Sequence, residues 1–153
     1  MPYLMQKERE INVMSESGIN IQDNVKESKG NQVKSVMEGD KTIIKVRQHE
    51  FSVGWPGSEI APCPGEYLLG ALAGCTSGVA SLMAKQMNFD LRGMTIEVWG
   101  LAGNNKVSAT AVLNTTENDE RIQKLKEATE NVCPVHKFFK STGMEMDIEW
   151  KRA

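Results

Sequence analysis

Residues 62–88, PCPGEYLLGALAGCTSGVASLMAKQMN, form the stretch that decides the fold. Apolar side chains recur in it at three- and four-residue steps, which is the spacing of one helical face. Other apolar residues fill most of the remaining circumference. Pro64 suits the first turn of such a helix, and Glu66 lies close enough to its start to favour the positive end of the helix dipole. A helix that is apolar nearly all round predicts a long, buried, central element.

Three glycines in this stretch, Gly70, Gly74 and Gly78, are spaced four residues apart and therefore share one stripe of the helix. Each costs about 1 kcal/mol relative to alanine inside a helix. Their presence predicts that another backbone approaches closely along the stripe. Cys75 lies in the middle of the same helix, so its role has to be explained.

Length, charge and cysteine count limit the possible classes of protein. A chain of 153 residues is long enough for one domain with its own core. The formal net charge of -2 gives no electrostatic reason to expect nucleic acid or a membrane surface as a partner. The apolar runs are interrupted before the roughly 18 residues of a membrane span, and the start lacks the pattern of a secretory signal. We therefore expect a cytoplasmic protein whose three cysteines are reduced thiols.

Strand patterns lie on both sides of the long helix. Residues 1–31 are interpreted as an N-terminal extension of uncertain structure, and residues 32–153 as the domain itself. Two β-rich runs, 32–37 and 41–49, are separated by the turn residues Glu38-Gly39-Asp40, and 51–53 is a possible third. After the helix, residues 94–102 and 106–114 predict two further strands.

The C-terminal third predicts two helices and a last strand. Thr116 followed by Asp119 is typical of a capping box that opens a helix, which should end near Val132 because Pro134 disfavours helical geometry before it. A short helix at 134–140 and a strand at 144–151 follow. The whole order predicts an α+β domain.

Cys133 immediately precedes Pro134 and should lie at or next to the cap of the short helix. Amide groups and the dipole at a helix start stabilise a thiolate. The alternative is that Cys75 and Cys133 are simply small buried hydrophobic residues, which is the commoner fate of free cysteine.

A reactive thiol in an apolar helix needs a cation. Apolar burial raises the pKa of a thiol above about 8.5, and lowering it to about 7 takes about 2 kcal/mol. One guanidinium about 4 Å away supplies up to about 4 kcal/mol at an effective dielectric near 20. The candidates are Arg47 and, as the carboxylate holding it, Glu66. Both could equally be ordinary solvated charges.

Two segments together resemble the OsmC/Ohr family of OsmC-like proteins and organic hydroperoxide reductases. They are APCPGEYLLGALAGCTSGVASLMA at 61–84 and, about one β-hairpin and one helix later, NVCPVHKFF at 131–139. The segment VRQH at 46–49 also resembles the broader OsmC-like branch. The resemblance covers about residues 32–150.

The resemblance implies an OsmC-like α+β fold with antiparallel sheets around long central buried helices, in an intertwined homodimer with active sites at the subunit interface. It implies a thiol-dependent peroxidase that needs no cofactor. Cys75 would attack an organic hydroperoxide and become a sulfenic acid, and Cys133 would close a disulfide with it. A dithiol such as a lipoylated protein would reopen that disulfide. The implied catalytic residues are Cys75, Cys133, Arg47 and Glu66.

Four features depart from the family pattern. Hydroperoxide reductases carry their arginine in an N-terminal turn that aligns with 32–35, where this chain has none. Their glutamate directly follows the proline, whereas Gly65 holds that position and Glu66 comes one residue later. Trp55 stands where the broader branch has an acidic residue, and Cys63 where it has serine or threonine. These departures concern the arginine–glutamate pair and the substrate.

Two rival interpretations remain open. One is a zinc site, because cysteine and histidine are zinc ligands; its four ligands would be Cys63, Cys75, Cys133 and His136. The other is a non-catalytic protein that carries a thiol or binds an apolar acyl or aromatic ligand. The side chains that could line such a pocket, although they are more often plain core, are Met83, Met87, Phe138 and Phe139.

Overall fold

A computed structural model describes residues 32–100, 103 and 105–153. The N-terminal extension, residues 1–31, lies outside the described residues. The chain divides into two compact units, Met1–Pro62 and Cys63–Ala153.

The described part of the first unit is an antiparallel three-stranded sheet. Its strands, in spatial order, are β1 (Val33–Glu38), β2 (Lys41–Val46) and β3 (His49–Val53). The turn between β1 and β2 is where the sequence predicts it, with Gly39 at a φ of 64°, a conformation that glycine adopts without strain. The two-residue turn between β2 and β3 places Arg47 at a φ of 54°, which is uncommon for a residue with a side chain.

The second unit begins with helix α1 (Pro64–Gln86) and continues with strands β4 (Gly93–Gly100) and β5 (Lys106–Asn114). Helices α2 (Asp119–Val132) and α3 (Pro134–Ser141) then lead to strand β6 (Glu145–Arg152). Strand β5 lies in the middle of the sheet, antiparallel to β4 and parallel to β6. The expectation of antiparallel sheets therefore needs correction, since this one is mixed. The crossover that a parallel pair requires is supplied by α2 and α3.

The buried face of β5 organises the core of the second unit. Every second residue of this strand is buried, as its alternating pattern predicts. One hydrophobic cluster joins β5 to the end of α1 and to α2, and includes Met83, Leu113 and Leu125. A second cluster joins Leu72 of α1 to Val107 of β5 and Phe139 of α3. Helix α1 is therefore held along one side against β5, α2 and α3.

The opposite side of α1 is open within the second unit, whereas the sequence predicts a helix buried all round. Only Leu72, Thr76, Ala80, Met83 and Ala84 are buried. A Cβ atom placed on any of the three stripe glycines would have nothing within 4 Å. One sheet and two helices cover only one side of a cylinder, so the described residues of the second unit leave the remaining apolar surface of α1 uncovered.

Length and composition alone would also allow α1 to cross a bilayer. Its most apolar 18-residue window has a mean hydropathy of 1.5, and 28% of that window is buried in the chain. A helix covered by other protein passes the same test, so this property is weak support for a membrane location.

The second helix starts differently from the predicted capping box. Its N-cap is Asn118, whose side-chain oxygen accepts a hydrogen bond from the Arg121 amide at 2.9 Å. The Thr116 hydroxyl instead donates to Asp90 at 3.0 Å. Thr116 therefore joins two loops, and Asn118, which directly precedes α2, caps the helix.

Candidate active site

Cys75 lies at the middle of α1 and is partly exposed. The two hydroxyl side chains that follow it are used by the helix itself. Thr76 donates to the Leu72 carbonyl at 2.8 Å, and Ser77 donates to the Ala73 carbonyl at 3.0 Å. These hydrogen bonds are local to α1, so the groups that act on the Cys75 sulfur come from elsewhere.

Cys133 lies at the junction of α2 and α3 and is completely buried. Its amide donates to the Thr129 carbonyl at 2.8 Å, which ends α2. Its sulfur accepts a hydrogen bond from the His136 amide at 3.4 Å, which caps α3. Pro134 fixes the first residue of α3 because its ring already has helical φ and it has no N–H to satisfy. This confirms the prediction that Cys133 lies at the cap of the short helix.

The two sulfurs meet although 58 residues separate them in sequence. Cys133 Sγ and Cys75 Sγ are 2.8 Å apart, in a hydrogen bond donated by Cys133. Both cysteines are free thiols. A disulfide bond is about 2.05 Å long, so a small approach of the two sulfurs would join them. The structure therefore provides the geometry of a redox pair.

Burial raises the pKa of the Cys133 thiol, and the hydrogen bond to Cys75 raises it further. The His136 amide acts in the opposite direction, because an N–H donor stabilises a thiolate. Burial lowers the pKa of the His136 imidazole below its ordinary 6.5. That ring is consequently neutral at neutral pH and supplies no positive charge to the pair.

Glu66, the carboxylate predicted to hold the activating arginine, contacts the backbone at the start of α1. Its Oε2 accepts a hydrogen bond from the Cys63 amide at 2.7 Å. Glu66 precedes Cys75 by nine residues, which is about two and a half helical turns, so the two lie on opposite sides of α1. The structure does not bring Glu66 to the thiol.

Arg47, the predicted cation, lies in the first unit on the turn between β2 and β3, and its side chain is exposed. It lines an open groove of about 580 Å³ within that unit, whose other lining residues are Gln32, Lys34, Lys45 and Gln48. Lys34 and Lys45 are directly opposite each other in the sheet register. In this unit Arg47 belongs to a group of solvated basic side chains.

A family model described as OsmC-like protein matches residues 56–149, which is more than half of the chain. The chain belongs to the OsmC-like protein family. The matched range contains both helix cysteines and every element from α1 to α3, so the predicted resemblance and fold class are confirmed. No curated protein sequence matches the chain significantly.

Solved structures support the same fold. The OsmC like protein from Mycoplasma pneumoniae matches with a TM-score of 0.69 at 16% identity, covering 80% of this chain and 94% of that chain. The organic hydroperoxide resistance protein OhrB of Bacillus subtilis matches with a TM-score of 0.55 at 22% identity, covering 80% and 98%. An organic hydroperoxide resistance protein from Elizabethkingia anophelis matches at 0.59 and 17%, covering 80% and 95%. At these identities the likeness establishes the fold alone.

The zinc interpretation finds no support in the described part of the chain. Within residues 32–100, 103 and 105–153, no three or more His, Cys, Asp or Glu side chains group closely enough to hold a metal ion. Cys63 precedes Cys75 by twelve residues on the α1 axis, about 18 Å, so the two sulfurs cannot share one ion.

The apolar pocket proposed for a binding protein is mostly core. Met83 and Phe139 are buried in the two hydrophobic clusters, and Met87 packs against the first of them. Phe138 is exposed, with an edge-to-face contact to Phe139. A cavity of about 250 Å³ does lie beside α1, lined by Glu66, Leu69, Gly70, Ala73 and Val98.

One contributor to the site was missed by sequence reasoning, namely the amide of His136. The available signal was Pro134: with proline as the first helical residue, the third is His136, whose amide is one that an N-cap side chain satisfies. The part of His136 that bonds Cys133 is its backbone amide and not the ring on which the zinc interpretation depends.

Proposed function

We propose that this chain is a thiol-dependent peroxidase that reduces organic hydroperoxides through Cys75 and Cys133. The observation that carries the proposal is the 2.8 Å separation of two free sulfurs that are distant in sequence. Three of the structurally similar proteins are named for organic hydroperoxide resistance, which supports the choice of substrate class.

Cys75 is assigned the attacking role because this residue is partly exposed whereas Cys133 is completely buried. In the first step the Cys75 thiolate attacks the terminal peroxide oxygen. A sulfur–oxygen bond forms, the oxygen–oxygen bond breaks, and the alkoxide leaves with a proton as an alcohol. The sulfur loses two electrons and becomes a sulfenic acid.

Cys133 is assigned the resolving role. Its sulfur attacks the Cys75 sulfenic acid, the sulfur–sulfur bond forms, and the hydroxyl leaves with the Cys133 proton as water. The His136 amide favours this step because it stabilises negative charge on Cys133. An external dithiol, of the kind carried by lipoylated proteins, would then reduce the disulfide and become oxidised itself. A cytoplasmic location, where thiols are kept reduced, suits this cycle.

The open face of α1 supports a homodimer as part of the proposal. The glycine stripe faces outward with room beside each glycine, and Leu82, on the same side, is half exposed. A second copy of the chain would cover this apolar surface, and glycines would let two backbones approach closely.

Free-thiol counting after treatment with cumene hydroperoxide tests the peroxidase. The wild-type protein should lose Cys75 and Cys133 as a pair for each hydroperoxide reduced, and dihydrolipoamide should restore both. Cys75→Ser should abolish the loss and lower turnover by at least about a hundredfold, since it removes the nucleophile. Cys133→Ser should leave a sulfenic acid at Cys75 that dimedone traps.

The matched control is Cys63→Ser, which removes the third thiol and keeps the other two. It should consume hydroperoxide at the wild-type rate. Retention of both thiols after treatment, in protein that circular dichroism shows to be folded, would contradict the peroxidase and favour a non-catalytic binding protein.

A further inference from the structure

We propose that Cys133 has a second role before it resolves anything: its thiol donates a hydrogen bond to the Cys75 sulfur and stabilises the Cys75 thiolate that attacks the hydroperoxide. Cys133 then acts first as a positioning donor for the nucleophile and only afterwards as the resolving thiol. This inference rests on the proposed peroxidase, but the hydrogen bond can be tested without any peroxide.

The two sulfurs lie within hydrogen-bond distance of each other. At 2.8 Å the pair is too close for two unrelated thiols and too far apart for a disulfide. Cys133 also accepts the His136 amide, so its own proton is free to point at Cys75. The donor is fixed in place from both sides, because its backbone ends α2 and begins α3.

Solvent access decides which sulfur loses its proton first. Cys133 is fully buried and Cys75 is partly exposed, so the first negative charge is less costly on Cys75. The proton that stays on Cys133 then lies between the sulfurs. A hydrogen bond to a charged acceptor is about twice as strong as a neutral one, so it strengthens when Cys75 ionises.

Within the second unit, the charged side chains considered for activating Cys75 do not stabilise its thiolate. Glu66 bonds the Cys63 amide on the far side of α1. The titratable group nearest the pair on α3 is His136, whose ring is neutral and whose charged neighbours are Glu130 and Lys126 on α2 and Lys140 on α3. None of these side chains places a positive charge at the Cys75 sulfur. Within the second unit, the Cys133 thiol is the group that can stabilise the Cys75 thiolate, by donating a hydrogen bond to it.

The test measures the pH midpoint for alkylation of Cys75 by iodoacetamide, read by mass spectrometry on the Cys75 peptide. All variants carry Cys63→Ser, because serine suits that N-cap and only the pair then titrates. Cys133→Ser keeps a donor in place. Cys133→Ala and Cys133→Val remove it.

We expect Cys133→Ala and Cys133→Val to raise the midpoint by about one pH unit relative to Cys133→Ser, which is about tenfold slower alkylation below the midpoint. If Cys133 had a purely structural role, the serine and alanine variants would not differ in the pH midpoint in this way. Equal midpoints in the serine and alanine proteins would overturn the proposal.

A second measurement needs no change at Cys133. In the Cys63→Ser protein, absorbance of thiolate near 240 nm should rise in two separated steps of one thiolate each, as coupled groups require. A single step in which both thiols ionise together would contradict the proposed hydrogen bond between them. Thiols that ionise in two steps but consume no hydroperoxide would contradict the peroxidase alone and leave the hydrogen bond standing.

Discussion

At the scale of single residues, a network of charged side chains holds the end of α1 to the start of α2. Arg121 donates to the Met87 and Asn88 carbonyls at 3.2 and 2.9 Å, and pairs with Glu117 at 3.1 Å. Glu117 also accepts the Asp90 amide at 3.1 Å, and Asp90 pairs with Arg92 at 2.7 Å. Two carboxylates therefore need their negative charge for these loops to stay joined.

This network should weaken the fold in acid. The Arg121 hydrogen bond lowers the pKa of Glu117 below its ordinary 4.5, and the Arg92 hydrogen bond lowers the pKa of Asp90 below 3.8. A lowered pKa in the folded state gives stability that is present above the ordinary value and is lost as the pH falls through the lowered one. Glu117→Gln should therefore lower the melting temperature by a few degrees at pH 7, and this deficit should shrink as the pH is lowered below 4.5.

The control for this prediction is Glu127→Gln, an exposed position on α2 whose side chain accepts a hydrogen bond from the Gln123 amide group at 2.9 Å. It should melt like the wild type throughout this pH range. A deficit in Glu117→Gln that does not shrink as the pH is lowered would show that its effect is not the loss of charge.

The positions of single residues could be predicted from the sequence where they depend only on neighbouring residues in the chain. Cys133 could be placed at a helix cap because Pro134 follows it, a local constraint. The angle between Glu66 and Cys75 on α1 also follows from their nine-residue spacing, which places them on opposite sides of the helix. The meeting of Cys75 with Cys133 depends on how α1, α2 and α3 pack, which no local pattern specifies.

At the scale of elements, most predicted ends of helices and strands lie within about two residues of the observed ends, because turns and caps are local signals. The exception is the run predicted at 41–49, which the structure divides at the turn of residues 47–48 into the end of β2 and the start of β3. The orientation of β6 and the open side of α1 could not be read in the same way. Both depend on which elements surround a given face. An apolar helix looks the same in sequence whether its covering comes from its own chain or from another.

The open stripe of α1 gives a direct test of the proposed dimer through Gly74→Ala. Within one chain the added methyl group meets nothing within 4 Å, so a monomer should gain about 1 kcal/mol from better helix propensity. If a second backbone closes on the stripe, the methyl group should instead weaken association severalfold. We expect the second result, measured by sedimentation equilibrium.

The comparison protein is Gln86→Ala, at the exposed C-terminal end of the same helix and about 18 Å along its axis from Gly74. It should associate like the wild type. A Gly74→Ala protein that melts higher and associates normally would mean that the stripe stays open in solution.

At the scale of the whole molecule, the cysteine pair links α1 to the junction of α2 and α3 across the β4–β5 hairpin. Oxidation would close a loop of 58 residues. Such a loop removes about 4 kcal/mol of conformational freedom from the unfolded chain at 25 °C. The sulfurs already lie together and α1 is already packed beside α3, so the native state needs only a local adjustment.

Oxidised protein should therefore melt at a higher temperature than reduced protein, by several degrees for a domain of this size. The measurement is differential scanning calorimetry before and after one equivalent of cumene hydroperoxide, with Cys133→Ser treated identically. The serine variant should gain nothing, since it cannot close the loop. An oxidised wild type that melts lower than the reduced protein would contradict this prediction. It would mean that disulfide formation forces Cys133 away from the cap of α3 and weakens the packing of α1 against α3 in every redox cycle.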